Sequence, residues 1–316
     1  MRLFLIKIGW FSVLCSGVYL MLLFAVGTFA PQSFKPNLKY TKGTYGYTNT
    51  RLQDIKKQSN LDVLVVGSSH AYRGFDPRIF KANGYQMFNL GSSAQTPTQT
   101  LLLLKRYLKN KKVGTLLYEV YPTTFSIDGV ESSLDIIAND QNDMLSFAMA
   151  CQMKHAKVAN TLVYAYMDQL LHPVAITEPK HKKEDTYVEG GYVQRIQGTY
   201  TANYLPKSTL KIDPKQWAAF QEIIQLVKQK EIRLLLVFAP VTKALYQSYT
   251  NLPYFENKIK AQGEYYNFNG RVALEDHLHF YDSNHLNQAG VTLFNAKVMQ
   301  QLFPPRTIAQ PEKNKK

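Results

Sequence analysis

The chain has 316 residues, 45% of them hydrophobic, and a formal net charge of +14, which is ample material for one large domain or two small ones. Its two cysteines, Cys15 and Cys151, exclude a disulfide framework: the first falls in an apolar run and the second reads as a buried small hydrophobe. The lysines are scattered rather than stacked on one helix, which disfavours nucleic acid and leaves anionic lipid or polymer, or a plain solvated surface.

Residues 8–30 carry no charge and are rich in Leu, Phe, Val and Ala, long enough to cross a bilayer as a helix. Arg2 and Lys7 ahead of the run favour the amino terminus inside and the rest outside. Lys35, Lys39 and Lys42 count the other way, but long domains translocate largely regardless of charge. The expectation is a single-pass anchor at 1–30 with an extracytoplasmic domain, periplasmic or on the outer face. A cleaved signal ending at Thr28-Phe29-Ala30 is the rival, and the apolar run is longer than a usual signal core. Residues 31–60, with Pro31, Pro36 and several lysines, read as a polar spacer.

The run 63–66, all Val and Leu, then breaks into Gly67-Ser68-Ser69-His70. Open α/β sheets place their chemistry just past such strand ends, which makes Ser69 the candidate nucleophile. Asp76-Pro77 opens a short helix, Asn83-Gly84 turns the chain, and a second strand at 86–89 ends at Gly91. After Thr96-Pro97-Thr98, 99–108 reads as an amphipathic helix and 113–120 as a third strand. Strand, helix and strand at this spacing imply a parallel sheet with right-handed crossovers, with Ser69 and Gly91 at one edge.

Residues 124–210 break the alternation. The part at 144–169 is helical in character, whereas 177–205 is long and polar, with Lys180, His181, Lys182 and Lys183, then Gly190-Gly191, and tyrosines at 187, 192, 200 and 204. A loop of this length is either functional or disordered. One reading is a lid or acceptor groove in which Tyr192 and Tyr200 stack on sugar rings; the other is a solvated insertion that packs its tyrosines on the sheet. The alternation resumes with a helix from Asp213-Pro214 to about Lys230 and an apolar strand at 232–239 covered on both faces. A helix over 241–262, a short strand at 265–268, a closing helix at 287–302 and a disordered basic tail at 304–316 complete the expectation.

A serine nucleophile needs a base and a group that orients the base. Asp282-Ser283-Asn284-His285 offers both, since residues three apart in a helical turn share a face. Asp276, His277 and His279 are rivals in the same segment. His277 and His279 have no further ligand cluster beside them, so no metal is expected. Gly67-Ser68-Ser69 lacks the Gly-Lys-Ser/Thr ending of a phosphate cradle, and no cofactor is expected.

The strand into Gly67-Ser68-Ser69, the second strand ending in Asn89-Leu90-Gly91-Ser92, and Asp282-x-x-His285 followed by Leu286-Asn287-Gln288-Ala289-Gly290 together resemble the SGNH (GDSL-like) hydrolase superfamily. Within it they look most like the membrane-anchored branch of alginate O-acetylation proteins and the teichoic acid D-alanyl transfer protein. The resemblance covers residues 60–120 and 230–302. It implies a three-layer, flavodoxin-like α/β domain at 61–303, with a central parallel sheet and the insertion at 124–210. It implies a Ser69, His285 and Asp282 triad and oxyanion donors at the backbone of Ser69 and Gly91. His70, next to the candidate nucleophile, either lines the acceptor pocket or simply shapes the turn. The activity implied is that of a serine esterase or O-acyltransferase acting on O-acyl groups, acetyl first among them, of a surface polysaccharide or glycopolymer. The implied partner is a multi-span membrane O-acyltransferase. Two departures stand out. The family's Gly-Asp-Ser is Gly67-Ser68-Ser69 here, and Tyr118-Glu119-Val120-Tyr121-Pro122 replaces a Gly-x-Asn-Asp, leaving one oxyanion donor unassigned. The alternative is a catalytically inactive anchored subunit that binds polymer or a membrane acyltransferase.

Overall fold

Val63, Leu64, Val65 and Val66 are all fully buried, as a strand covered on both faces must be, and the fold is built outward from them. The computed structural model describes residues 1–43, 46–172, 176–201, 204–304 and 306; of the expected tail, 305 and 307–316 lie outside the described residues. In chain order the elements are α1 (Arg2–Phe29), α2 (Thr48–Lys56), β1 (Asn60–Val66), α3 (Ser69–Gly74), α4 (Pro77–Ala82), β2 (Met87–Asn89), α5 (Pro97–Tyr107) and β3 (Lys112–Glu119). The insertion follows as α6 (Val130–Asn139), α7 (Met144–Met153), α8 (Ala156–Leu171), β4 (His181–Lys182), β5 (Asp185–Val188) and β6 (Tyr192–Arg195). The chain closes with α9 (Pro214–Gln229), β7 (Arg233–Phe238), α10 (Lys243–Ser248), α11 (Leu252–Lys260), β8 (Glu264–Asn267), α12 (Asp276–His279) and α13 (Gln288–Leu302).

The main sheet is parallel throughout, in the order β2-β1-β3-β7-β8, the doubly wound flavodoxin-like order. Leu64, Val66, Leu116 and Leu236 face a layer with Leu101, Leu104, Phe220 and Ile223 from α5 and α9. Val63, Val65, Leu117 and Val237 face the opposite layer, with Phe294 and Val298 from α13 and Phe80 from α4. Helix starts follow the caps in the sequence. Asp76 Oδ1 accepts from the N–H of Arg78, Asp213 Oδ1 from that of Lys215, and Gln99 reaches back to the N–H of Thr96, each cap preceding a proline in the first turn.

Four expectations need correction. The expected helix over 241–262 is two helices, because the chain leaves α10 at an extended Tyr249 and restarts with Pro253 in the first turn of α11. Cys151 is exposed on α7 rather than buried. The helical character expected at 144–169 holds, as α7 and α8, but the polar stretch at 177–205 is not loop throughout: β4, β5 and β6 form a three-stranded antiparallel sheet within it.

Residues 31–60 are not a free spacer. Arg51 on α2 is buried and donates through Nε to the Gly191 carbonyl at 2.8 Å. Nearer the apolar helix, the Lys39 N–H donates to Thr161 Oγ1 at 3.1 Å, and Tyr40 and Lys42 both donate to Asp168 at 2.8 Å. The end of α1 joins this contact. Leu23 and Gly27 are buried, Tyr19 donates to Asn160 Oδ1 at 2.6 Å, and Lys35 Nζ donates to the Gly27 carbonyl at 2.8 Å. A Cβ on Gly27 would lie 2.3 Å from the Tyr164 ring, so the small residue is what lets α1 seat on α8. Residues 1–22 are exposed, and α1 is one helix long and apolar enough to cross a membrane.

Candidate active site

β1 ends at Gly67, whose φ of +138° is a conformation that favours glycine. A Cβ there would stand 2.7 Å from the Glu119 carbonyl oxygen. The turn therefore lies directly on β3, and α3 starts with Ser68 as its cap and Ser69 as its first residue. First-turn N–H groups have no acceptor within their own helix, so the Ser69 N–H is available to a charge forming at its own side chain.

The candidate base arrives from the far end of the chain. Phe280 and Leu286 are buried and bridge to each other, and the Tyr281 N–H donates to the His285 carbonyl at 3.1 Å, pinching 280–286 into a tight loop. Thr242 clamps its crest, donating N–H and O–H to the Ser283 carbonyl at 3.2 and 2.9 Å. The Asp282 to His285 segment is not the helical turn expected from its spacing. It is a side-chain-closed turn in which Asp282 Oδ1 accepts the N–H groups of Asn284 and His285 at 2.7 and 2.8 Å.

His285 Nδ1 lies 3.0 and 2.9 Å from the two Asp282 oxygens, and Nε2 lies 2.7 Å from Ser69 Oγ. An ionised carboxylate only accepts, so Nδ1 carries the proton and Nε2 presents its lone pair to the serine hydroxyl. Burial pushes the Asp282 carboxyl up, but the His285 ring and the two N–H groups together hold it below the usual carboxylate range. The three residues singled out in the sequence thus meet in one hydrogen-bonded line at the carboxyl edge of the sheet.

The cleft above them has a volume of about 440 Å³ and is lined by Ser69, Tyr72, Arg73, Tyr281 and Arg195, with Ser93 and Glu131 across from them. Ser93 and Glu131 also line an adjoining hollow of about 330 Å³ that reaches Lys39 and Thr41. Ala94, in the cleft wall, sits at φ +48°, a local strain of roughly 1 kcal/mol for a residue with a side chain. Ser92 and Gln95, hydrogen-bonded to each other at 2.9 Å, brace it on both sides.

Other sequence candidates fall elsewhere. The Gly91 N–H donates to Asn89 Oδ1 at 3.1 Å, so the expected second oxyanion donor is already committed. The glycine serves close packing instead, since a Cβ would meet Ala71 and the Ser68 carbonyl at 2.9 Å. Tyr192 is 1% exposed in the core, and its O–H donates to Gln288 Oε1 at 2.8 Å; Tyr200 packs against the same apolar cluster. Neither stacks on a sugar in this arrangement, because both rings are spent on holding the insertion to the domain. His277 is exposed and His279 Nδ1 accepts from the Glu275 N–H at 2.9 Å, away from the cleft.

The insertion instead contributes Arg195. Its Nε donates to Asp185 Oδ1 at 3.0 Å, and its guanidinium lies 4.3 Å above the Tyr281 ring. Arg73 holds the same carboxylate with both terminal nitrogens at 3.0 and 2.8 Å. Periodicity gave no signal for Arg195 or Tyr281, because both act through a contact between segments far apart in the chain.

No protein-family model matches the chain, and no curated relative does. Among solved structures it is similar to an acylhydrolase of Bacteroides fragilis, with 10% identity, a TM-score of 0.40, and coverage of 83% of this chain and 99% of that one. A GDSL-like lipase of Bacteroides thetaiotaomicron is similar at 12% identity and a TM-score of 0.38, over 81% of this chain and 97% of that one. Likenesses this distant carry no argument about chemistry, which has to stand on the site.

Proposed function

We propose that the chain is a membrane-anchored serine esterase or O-acyltransferase, working outside the cytoplasm on O-acyl groups of a surface glycopolymer. The observation that carries the reading is the 2.7 Å contact of His285 Nε2 with Ser69 Oγ, with Asp282 on the ring's other nitrogen. Ser69 Oγ attacks the acyl carbonyl as its proton passes to His285 Nε2, and the ester carbonyl's electron pair moves to oxygen beside the Ser69 N–H. Collapse expels the alcohol, which takes the proton back from His285 and leaves an acyl-serine. A glycan hydroxyl or water, deprotonated by the same ring, then attacks the acyl-serine and frees Ser69. A positioned base of this kind is worth about 10²–10⁴-fold.

The acceptor separates transfer from hydrolysis. The cleft and the adjoining hollow that shares Ser93 and Glu131 give room for a sugar beside the serine, which favours transfer. The inert-subunit reading has one observation behind it: the Gly91 N–H is committed to Asn89, leaving the oxyanion fewer donors. Labelling the full chain with a fluorophosphonate tests both. An adduct on Ser69, absent in S69A, supports the enzyme; no adduct on the folded protein overturns it. Acetate release from an acetyl ester, with and without a glycan acceptor, then separates transferase from esterase.

A further inference from the structure

Beneath the nucleophile lies a row of polar side chains that the reaction above does not consume. Glu119, Ser68 and His70 are 1%, 2% and 5% exposed. Ser68 Oγ stands between the other two, 3.3 Å from Glu119 Oε2 and 3.1 Å from His70 Nδ1. The His70 ring is packed between Tyr121 and His285, with centroids 4.0 and 5.0 Å away. A polar row in a core layer costs stability that an apolar layer would not, and the backbone is shaped to hold it: Gly67 has no Cβ where one would stand 2.9 Å from Glu119 Cβ.

Burial favours the uncharged form at both ends of the row. Burial pushes the Glu119 carboxyl up to about 8, and burial, reinforced by the neighbouring His285, drives His70 well below the ordinary histidine value. Ser68 Oγ has one proton to place between Glu119 Oε2 and His70 Nδ1. With the carboxyl protonated it can go to His70 Nδ1, which leaves the His70 proton on Nε2, buried and, like Glu119 Oε1, without a hydrogen-bond partner among the described residues.

We propose that Glu119, Ser68 and His70 are positioning residues, a neutral row that sets the plane of the His285 ring against Ser69; the proposal rests on the triad reading above. Ionising Glu119 fixes the Ser68 proton on the carboxylate, and His70 Nδ1 then loses its donor. The other titratable groups around Glu119 are Tyr118 and Tyr121 from its own segment and Tyr249 and Tyr265 from behind. All are neutral near pH 8, so among the described residues no cation offsets the new charge.

The test uses the full chain in detergent, scoring the fluorophosphonate adduct on Ser69, then kcat and KM for an acetyl ester across pH. E119A and S68A are expected to lower kcat roughly ten- to a hundredfold with KM within about twofold, as expected for a misplaced reactive group, and E119Q, whose amide still donates to Ser68, restores most of the loss. Wild-type kcat should fall above about pH 8, and E119Q should lack that fall. A purely structural role would lower thermal stability without splitting kcat from KM or removing the alkaline limb. The same limb in E119Q and wild type, or wild-type kcat in S68A, overturns the proposal. No Ser69 adduct in the wild type removes the triad reading and this proposal with it, whereas a normal adduct rate in E119A and S68A removes this proposal alone. Should E119A fail to fold, S68A and E119Q carry the test.

Discussion

The rings of Tyr281 and His285 lie face to face, 7° from parallel with centroids 5.5 Å apart, so the base is held between Tyr281 above and His70 below. An imidazole that must accept a proton from one partner while hydrogen-bonded to another cannot be free to rotate, and two flat neighbours restrict it without competing for its nitrogens. Tyr281→Ala should therefore lower kcat by about tenfold with little change in folding, and Tyr281→Phe should keep most of the activity. Ester turnover measured on both variants checks this; equal rates would mean that the ring is oriented without Tyr281.

The triad makes a steeper prediction. Asp282→Asn keeps the shape but lets Nδ1 become the acceptor, which turns the wrong tautomer toward Ser69 and should cost roughly 10³–10⁴ in kcat. Ser69→Ala should abolish labelling and cut turnover to the residual rate left by binding and the oxyanion donor. Combining it with Asp282→Asn should add nothing, because residues that act as one unit are not additive. A double variant markedly worse than Ser69→Ala would point to a second route to product.

How far the sequence could be read depended on whether a feature was local. The strands and caps were legible because burial at 63–66 and the prolines after Asp76, Thr96 and Asp213 act within a few residues. Ser69, Asp282 and His285 were legible through their motifs, at the ends of the first and last strand units. Arg195 and Tyr281 were not, since their value lies in a contact between the insertion and the acid-base loop. Tyr192 and Tyr200 show the same limit from the other side. In a polar stretch their composition leaves a sugar platform and packing on the domain both open, and the fold takes the second, against α13 and the core. Residues 31–60 misled for a related reason: their polarity is real, but Arg51, Tyr40 and Lys42 spend it on hydrogen bonds to the domain.

Arg73 and Asp185 tie the insertion to the nucleophile's own helix by a two-pronged ion pair, with side chains 11% and 3% exposed. Burial pushes the Asp185 carboxyl up, but Arg73 and Arg195 hold it below the usual range. Removing Arg73 leaves Asp185 buried with Arg195 alone, so Arg73→Ala should destabilise the protein by about 2–3 kcal/mol, less than for a fully unpaired buried charge. Arg73→Lys should recover only part of this, because a single ammonium cannot match both oxygens. Chemical denaturation of the two variants measures it, and a loss below about 1 kcal/mol would class the pair with exposed surface bridges.

The seat of α1 predicts a separation between anchoring and chemistry. Gly27→Val places a side chain where the Tyr164 ring already stands, 2.3 Å from the added Cβ, and should lift the last turns of α1 off α8. Proteolysis within 31–43 should accelerate several-fold as that segment opens, while ester turnover in detergent stays unchanged. Unaltered cleavage would show that Lys39, Tyr40 and Lys42 hold the segment without the helix.

Glu119 also makes stability depend on pH in a fixed direction. Its carboxyl moves from an ordinary value of 4.5 to about 8 on folding, chiefly through burial, so the native state holds the proton more tightly than the unfolded chain does. Below about pH 4.5 both states are protonated and the burial is least costly. Between that value and about 8 the unfolded chain releases its proton while the native one keeps it, so stability falls as pH rises; beyond about 8 the loss is complete. The span corresponds to a few kcal/mol at most, on the order of 1.4 kcal/mol for each unit of difference. Glu119→Gln has no proton to lose, so its unfolding curves should match wild type near pH 5 and show the greater stability near pH 9, read as a difference between the two proteins so that every other titrating group cancels. Parallel pH profiles would mean that Glu119 is ionised in the native state at neutral pH, with the N–H groups of Ser68, Tyr121 and Ala239 holding its charge.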